Sequence, residues 1–250
     1  MSSAPKEVLN FDIQSFIKEQ AVPVTIKNRL KLIDDSLNST TELSQKIKLL
    51  HTAADLWKDS LKKFEGYAFY SGEAAKLDNS EKNLTFAAQL FLSGLRTEED
   101  AAKLNWESSE AIQLFEKAIA LNPENDDLKI DLASCYIYGK GRNGDPQQTM
   151  KGILSLLDVV RRDSSNMKAQ LVLGVGGYVS GQYDKAIGRL TKVILNEPGN
   201  IEAMAFLADT YAAKGDKPNA IKCYNILKKM VNDPDYTKEI DERIGSLNKR

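Results

Sequence analysis

The chain has 250 residues, 42% hydrophobic and 28% charged, with a mean hydropathy of -0.38, a composition sized for one large folded domain or a repeat array. Its 34 basic and 35 acidic residues nearly cancel. No stretch gathers Lys and Arg with aromatic residues into a nucleic-acid footprint, so nucleic acid drops out of the expected partners.

The opening Met1-Ser2-Ser3-Ala4-Pro5-Lys6 lacks the apolar core of a signal peptide, and no window approaches roughly 18 consecutive apolar residues. The expectation is a cytoplasmic chain that does not insert into a membrane, with an anchor or signal upstream of residue 1 left open. Residues 1–40 form an N-terminal extension, partly helical, with Val8, Phe11, Ile13, Phe16 and Ile17 followed by apolar positions from Val22 to Leu37. That is too apolar for a disordered tail. It reads either as a cap on the array that follows or as a segment that occupies a groove or pairs with a second chain.

Ser39-Thr40-Thr41-Glu42 reads as a capping box, and behind it Leu43, Ile47, Leu50, Ala54, Trp57, Leu61 and Phe64 draw one helical stripe. Gly66 and Tyr70 follow in a second helix. Residues 81–125 place Leu84, Ala87, Ala88 and Phe91 in one helix and Ala111, Phe115, Ala118 and Pro123 in the next, with an excess of eleven residues from about Gly94 to Asn105. Residues 126–166 carry Leu132, Ala133 and Tyr136, then a Gly/Asn/Asp/Pro-rich insertion of seven residues around Gly139 to Pro146, then Gly152, Leu156 and Val159. The insertion is expected to be a loop.

The last two units share one register of 34 residues. Residues 167–200 put Leu173, Gly174, Ala186, Leu190, Val193 and Pro198 at positions 7, 8, 20, 24, 27 and 32. Residues 201–234 put Met204, Leu207, Ala208, Tyr211, Ala220, Tyr224 and Leu227 at positions 4, 7, 8, 11, 20, 24 and 27, with Gly215-Asp216 at the turn. Tyr236 to Leu247, with Ile240, Ile244 and Leu247 on one side, fits a terminal helix over the last apolar face.

This pattern resembles the tetratricopeptide repeat, W-x2-L-G-x2-Y, then A-x3-F, then P. Small residues at positions 8 and 20 let two antiparallel helices approach, and bulky ones around them fill the gap. The resemblance implies an all-α, right-handed helical solenoid of about five helix pairs, at 47–80, 81–125, 126–166, 167–200 and 201–234 within 41–234, with a C-terminal capping helix over 235–250. It also implies a non-catalytic scaffold or adaptor that needs no cofactor. The 47–80 unit departs from the pattern with Glu73 at position 27.

Several features invite a chemical reading. Gly139-Lys140-Gly141-Arg142-Asn143-Gly144 satisfies G-x-G-x-x-G, but the dinucleotide motif works between a strand and a helix. An enzyme, or a regulatory subunit of one, working through 139–146 is the alternative function. His51 is the single histidine, which leaves no His-based metal site. Cys135 and Cys223, 88 residues apart in apolar helical patterns, read as small hydrophobes in a reducing compartment rather than as a disulfide. Gly174, Gly176 and Gly177 crowd one helix and suggest close packing against large neighbours such as Tyr136 or Tyr211, or else a pliable point.

In this family ligands lie along a concave face lined by positions 2, 5, 9, 12 and 13 of the first helices. Carried over, the resemblance points to Asp127, Ile130, Ser134, Ile137 and Tyr138, then Lys168, Leu171, Val175, Tyr178 and Val179, then Glu202, Ala205, Asp209, Ala212 and Ala213. Lys168 stands nearly alone as a cation, so a carboxylate clamp is not expected. An apolar face with acidic flanks suits a peptide or partner helix that is apolar or amphipathic and carries basic residues. The face is expected to be exposed in the free protein.

Overall fold

The computed structural model describes residues 10–249; Val8 and the opening Met1–Lys6 lie outside them. Among the described residues the chain is helical throughout and contains no strand. It divides into two compact units, one ending at Cys135 and one beginning at Tyr136.

The first unit contains α1 (Ile13–Glu19), α2 (Val24–Ser39), α3 (Leu43–Asp55) with a π-helical turn Leu56–Ser60, α4 (Phe64–Asp78), α5 (Glu81–Gly94), α6 (Ala101–Leu121) and α7 (Asp126–Ser134). Its core holds Ile33 of α2 with Leu50, Ala53, Ala54, Leu56, Trp57, Tyr70 and Ala74, and Ile26, Leu30 and Leu37 pack against that cluster. Trp57 is fully buried, and a Cβ on Gly66 would fall inside its ring. Glycine at 66 is therefore what lets α3 and α4 close on each other. The capping box over Ser39–Glu42 does not form. Ser39 still belongs to α2, and Glu42 precedes α3 without a side-chain cap.

A π-helical segment Cys135–Gly141 opens the second unit from its second residue, Tyr136, and the unit continues through α8 (Pro146–Arg162), α9 (Met167–Val179), α10 (Tyr183–Asn196), α11 (Ile201–Lys214), α12 (Lys217–Val231) and α13 (Pro234–Lys249). Successive helices pack on one another, and α9 also touches α11, so these two first helices form a layer of their own. Asn166 and Asn200 begin α9 and α11 by accepting the backbone N–H groups of Ala169 and Ala203, each at 2.9 Å. Ala186, Leu190 and Val193 of α10 are completely buried, as are Ala208 and Ala220 across the α11–α12 pair.

The insertion after Tyr136 is part helix and part turn: Gly139–Gly141 continue the π-helical segment, and residues 142–145 form the expected turn, with Gly144 at φ 87°. Wide-turn hydrogen bonds, Arg142 N–H to Ile137 at 3.2 Å and Asp145 N–H to Lys140 at 3.1 Å, carry the backbone past Gly139 and Gly141. Part of the insertion is absorbed by widening the helix and the rest by the turn. The three glycines of α9 are held by close packing, but against neighbours other than Tyr136 and Tyr211. A Cβ on Gly174 would lie 2.7 Å from Leu190, one on Gly176 2.9 Å from Ile153, and one on Gly177 3.1 Å from Ala186.

Candidate protein-binding face

The expected exposure of the concave face fails for six of its fifteen residues, among them most of the large apolar ones. In the first unit Asp127 is exposed, whereas Ile130 and Ser134 are buried, and the Ser134 hydroxyl donates to the Ile130 carbonyl at 2.9 Å. Asp131, one residue from Ile130, accepts from Gln89 Nε2 at 3.1 Å.

In the second unit Ile137, Tyr138, Leu171 and Val175 are buried; Lys168 is exposed, and Tyr178, Glu202 and Asp209 are partly exposed. The cause lies in α9 itself, where every residue from Ala169 to Gly177 is buried. A helix apolar all round is an interior helix, and the run Leu171-Val172-Leu173-Gly174-Val175-Gly176-Gly177 carried that signal in the sequence. Tyr138 is covered because Phe206 packs against it at 6.0 Å between ring centroids and Glu202 accepts its hydroxyl at 2.7 Å. Phe206 also meets Tyr178 at 5.8 Å.

Phe206 thus joins two predicted residues and was absent from the predicted set. It occupies position 6 of its repeat, one place beyond the positions carried over from the family. The exposed Phe86 of α5 stands at the same position.

Asp209 is committed to its neighbours. It accepts the Tyr224 hydroxyl at 2.5 Å and the Arg243 guanidinium at 3.0 Å. Burial, with the hydrogen bond to Asp209 second, pushes the Tyr224 hydroxyl well above its usual range. Arg243 also pairs with Glu239 of its own helix at 2.7 Å. On α9 and α11, Tyr178, Val179, Ala205 and Phe206 keep part-exposed apolar surface, with Glu202 and Asp209 one turn to either side on α11.

The glycine-rich segment offers no phosphate cradle. Gly139 and Gly141 are helical, and the N-terminus of α8 is taken by the Asp145 carboxylate, which accepts from Gln147 N–H at 3.0 Å and Gln148 N–H at 3.1 Å. A phosphate there would meet a fixed negative charge. His51 is exposed on α3. Cys135 and Cys223 are free and buried, and burial raises both thiols. Among the described residues no group of three or more His, Cys, Asp or Glu is placed to hold a metal ion. Nor is any described helix long and apolar enough to cross a membrane.

The family model for the tetratricopeptide repeat matches residues 108–139 and 180–238. No curated protein matches the sequence. Among solved structures, the thermophilic tetratricopeptide-repeat protein TTC0263 of Thermus thermophilus is 17% identical, with 80% of this chain and 97% of that one covered at a TM-score of 0.58. MamA from residue 41 onward, of Desulfovibrio magneticus RS-1, is 18% identical over 76% of this chain and 97% of that one, with a TM-score of 0.52. PilW, a type IV pilus biogenesis factor, is 14% identical over 81% and 93%, with a TM-score of 0.51. Such identities speak to fold alone, and the fold they share is the helix-pair repeat already described. Repeat register, family match and fold agree over these residues: the chain carries tetratricopeptide repeats at 108–139 and 180–238.

Proposed function

We propose that the chain is a non-catalytic scaffold that binds a peptide or partner helix on the inner face of its first helices. What supports this reading is the face of α9 and α11, where Tyr178, Val179, Ala205 and Phe206 keep accessible apolar surface beside Glu202 and Asp209. Aromatic side chains at the centre of such a face are the usual anchors of an interface. The partly exposed Glu202 carboxylate favours a partner whose apolar residues are flanked by Lys or Arg, while Asp209 is already paired with Arg243. Leu171 and Val175 act as the wall behind this surface, not as contacts.

Affinity capture with the full chain, followed by mass spectrometry, names the partner. Tyr178→Glu is expected to weaken that partner by at least ~1 kcal/mol while leaving the helical spectrum unchanged, because binding would then bury an unpaired carboxylate. A folded Tyr178→Glu variant that binds as tightly as wild type would place the binding surface elsewhere.

A further inference from the structure

The second helices of the second unit carry a charge the rest of the chain does not. Helices α8, α10 and α12 together hold ten Lys and Arg against two Asp, a formal surplus of eight positive charges. Elsewhere in the same unit α9, α11 and α13 hold five basic and six acidic residues. In the first unit the second helices α4 and α6 hold three basic and six acidic residues. A near-neutral chain has therefore collected positive charge on one set of helices.

Six of the ten, Lys151, Arg161, Arg162, Lys185, Lys222 and Lys229, are exposed; Arg189, Lys192, Lys217 and Lys228 are partly buried, and Lys228 pairs with Asp241 and Arg161 with Asp158. The buried stripe of α10 is Ala186, Leu190 and Val193, and Lys185, Gly188, Lys192 and Leu195 run along its opposite side at steps of three and four. On α12 the buried stripe is Ala220, Cys223, Tyr224 and Leu227, leaving Lys222, Ile226 and Lys229 outside. On α8, Met150, Leu154 and Arg161 stand opposite Gly152, Leu156 and Val159.

Aliphatic side chains are interleaved with these cations. Met150, Leu154, Leu195 and Ile226 are all exposed, Leu195 by 76%. Seven of the ten cations are Lys, compact point charges suited to a diffuse anionic surface, and three are Arg, the residue whose planar fork favours individual phosphates and bases. Basic residues alternating with exposed aliphatics match the boundary between lipid headgroups and acyl chains.

We propose that the outward face of α8, α10 and α12 is a peripheral docking surface for an anionic lipid bilayer. Lysines attract the headgroups, and Met150, Leu154, Leu195 and Ile226 enter the interface. This surface lies on different helices from the peptide-binding face proposed above and does not depend on it.

The test is partition of the full chain onto phosphatidylcholine vesicles with and without phosphatidylserine, at low and at physiological salt. Binding is expected only with phosphatidylserine, weakening as salt rises. Lys185→Glu/Lys222→Glu/Lys229→Glu is expected to lower partition at least about tenfold, since each basic residue near an anionic membrane adds its own increment. Leu154→Gln/Leu195→Gln, which leaves every charge in place, is expected to lower it about fivefold. Circular dichroism of both variants controls for folding, and a duplex oligonucleotide and polyglutamate serve as competing polyanions.

Equal partition onto neutral and anionic vesicles overturns the proposal, as does a charge-reversed chain that is folded and binds like wild type. So does binding to the oligonucleotide or polyglutamate as tight as to the vesicles, with no effect of the leucine changes. That last result would assign the face to a nucleic acid or an acidic protein segment.

Discussion

Glu107 of α6 is 1% exposed, and its Oε2 has no hydrogen-bond partner. It fits because Gly94 has no side chain; a Cβ there would lie 2.7 Å from Oε2. Burial pushes this carboxyl up to about 8, with Glu98 and Glu65 adding to the rise and Lys103 opposing it. The folded chain thus keeps a proton that the unfolded chain releases near the ordinary value of 4.5. Stability is expected to fall as pH climbs from the unfolded value towards about 8, and to level off above it, a span worth on the order of a few kcal/mol. Glu107→Gln removes the titration. Urea unfolding of the variant should show a flatter pH dependence than wild type, with a gain of roughly 1–3 kcal/mol at about pH 9 and little difference at about pH 4. A wild-type chain whose stability is flat between those limits would mean the carboxyl is solvated and ordinary.

At the scale of elements, the pairing of helices was legible wherever small and large residues alternate in the repeat register, as Ala208 and Ala220 do among Leu207, Tyr224 and Leu227. Two things were not legible. The glycines at 139 and 141 look like a loop in sequence, yet wide-turn hydrogen bonds keep them helical, because a π-helical segment can absorb extra residues without breaking the backbone ladder. The N-terminal extension left two readings open, and the contacts of α1 and α2 bear on them. Ile33 is buried in the core around Trp57, and Phe11 packs on Trp106 at 5.2 Å between ring centroids. Lys103, paired with Glu65 at 2.5 Å, lies over the Phe16 ring at 5.2 Å. A chain lacking residues 1–38 is therefore expected to lose about 3 kcal/mol or more, since Ile33 leaves the core cluster and Ile26, Leu30 and Leu37 no longer pack against it. The drop in the urea midpoint measures it. An unchanged midpoint would show that α2 contributes nothing to the first unit.

For the molecule as a whole, the candidate binding face was legible as a set of positions but not as a surface. The family register says which residues a first helix turns inward; it does not say whether a neighbouring helix then covers them. Tyr138 is covered by Phe206, which depends on tertiary packing that no local pattern encodes, whereas the burial of Leu171 was legible in the unbroken apolar run of α9. The same repeat architecture limits how far damage travels, because each helix pair leans mainly on its neighbours and stability is close to a sum of local terms. Gly66→Ala tests this. Its new methyl would fall on the fully buried Trp57 ring and cost roughly 1–3 kcal/mol by overpacking. Amide hydrogen exchange is expected to accelerate in α3 and α4, while α9 to α12 keep wild-type protection, as subglobal opening predicts. If protection falls by the same factor in both units, the chain opens only as one cooperative body and the local account of its stability is wrong.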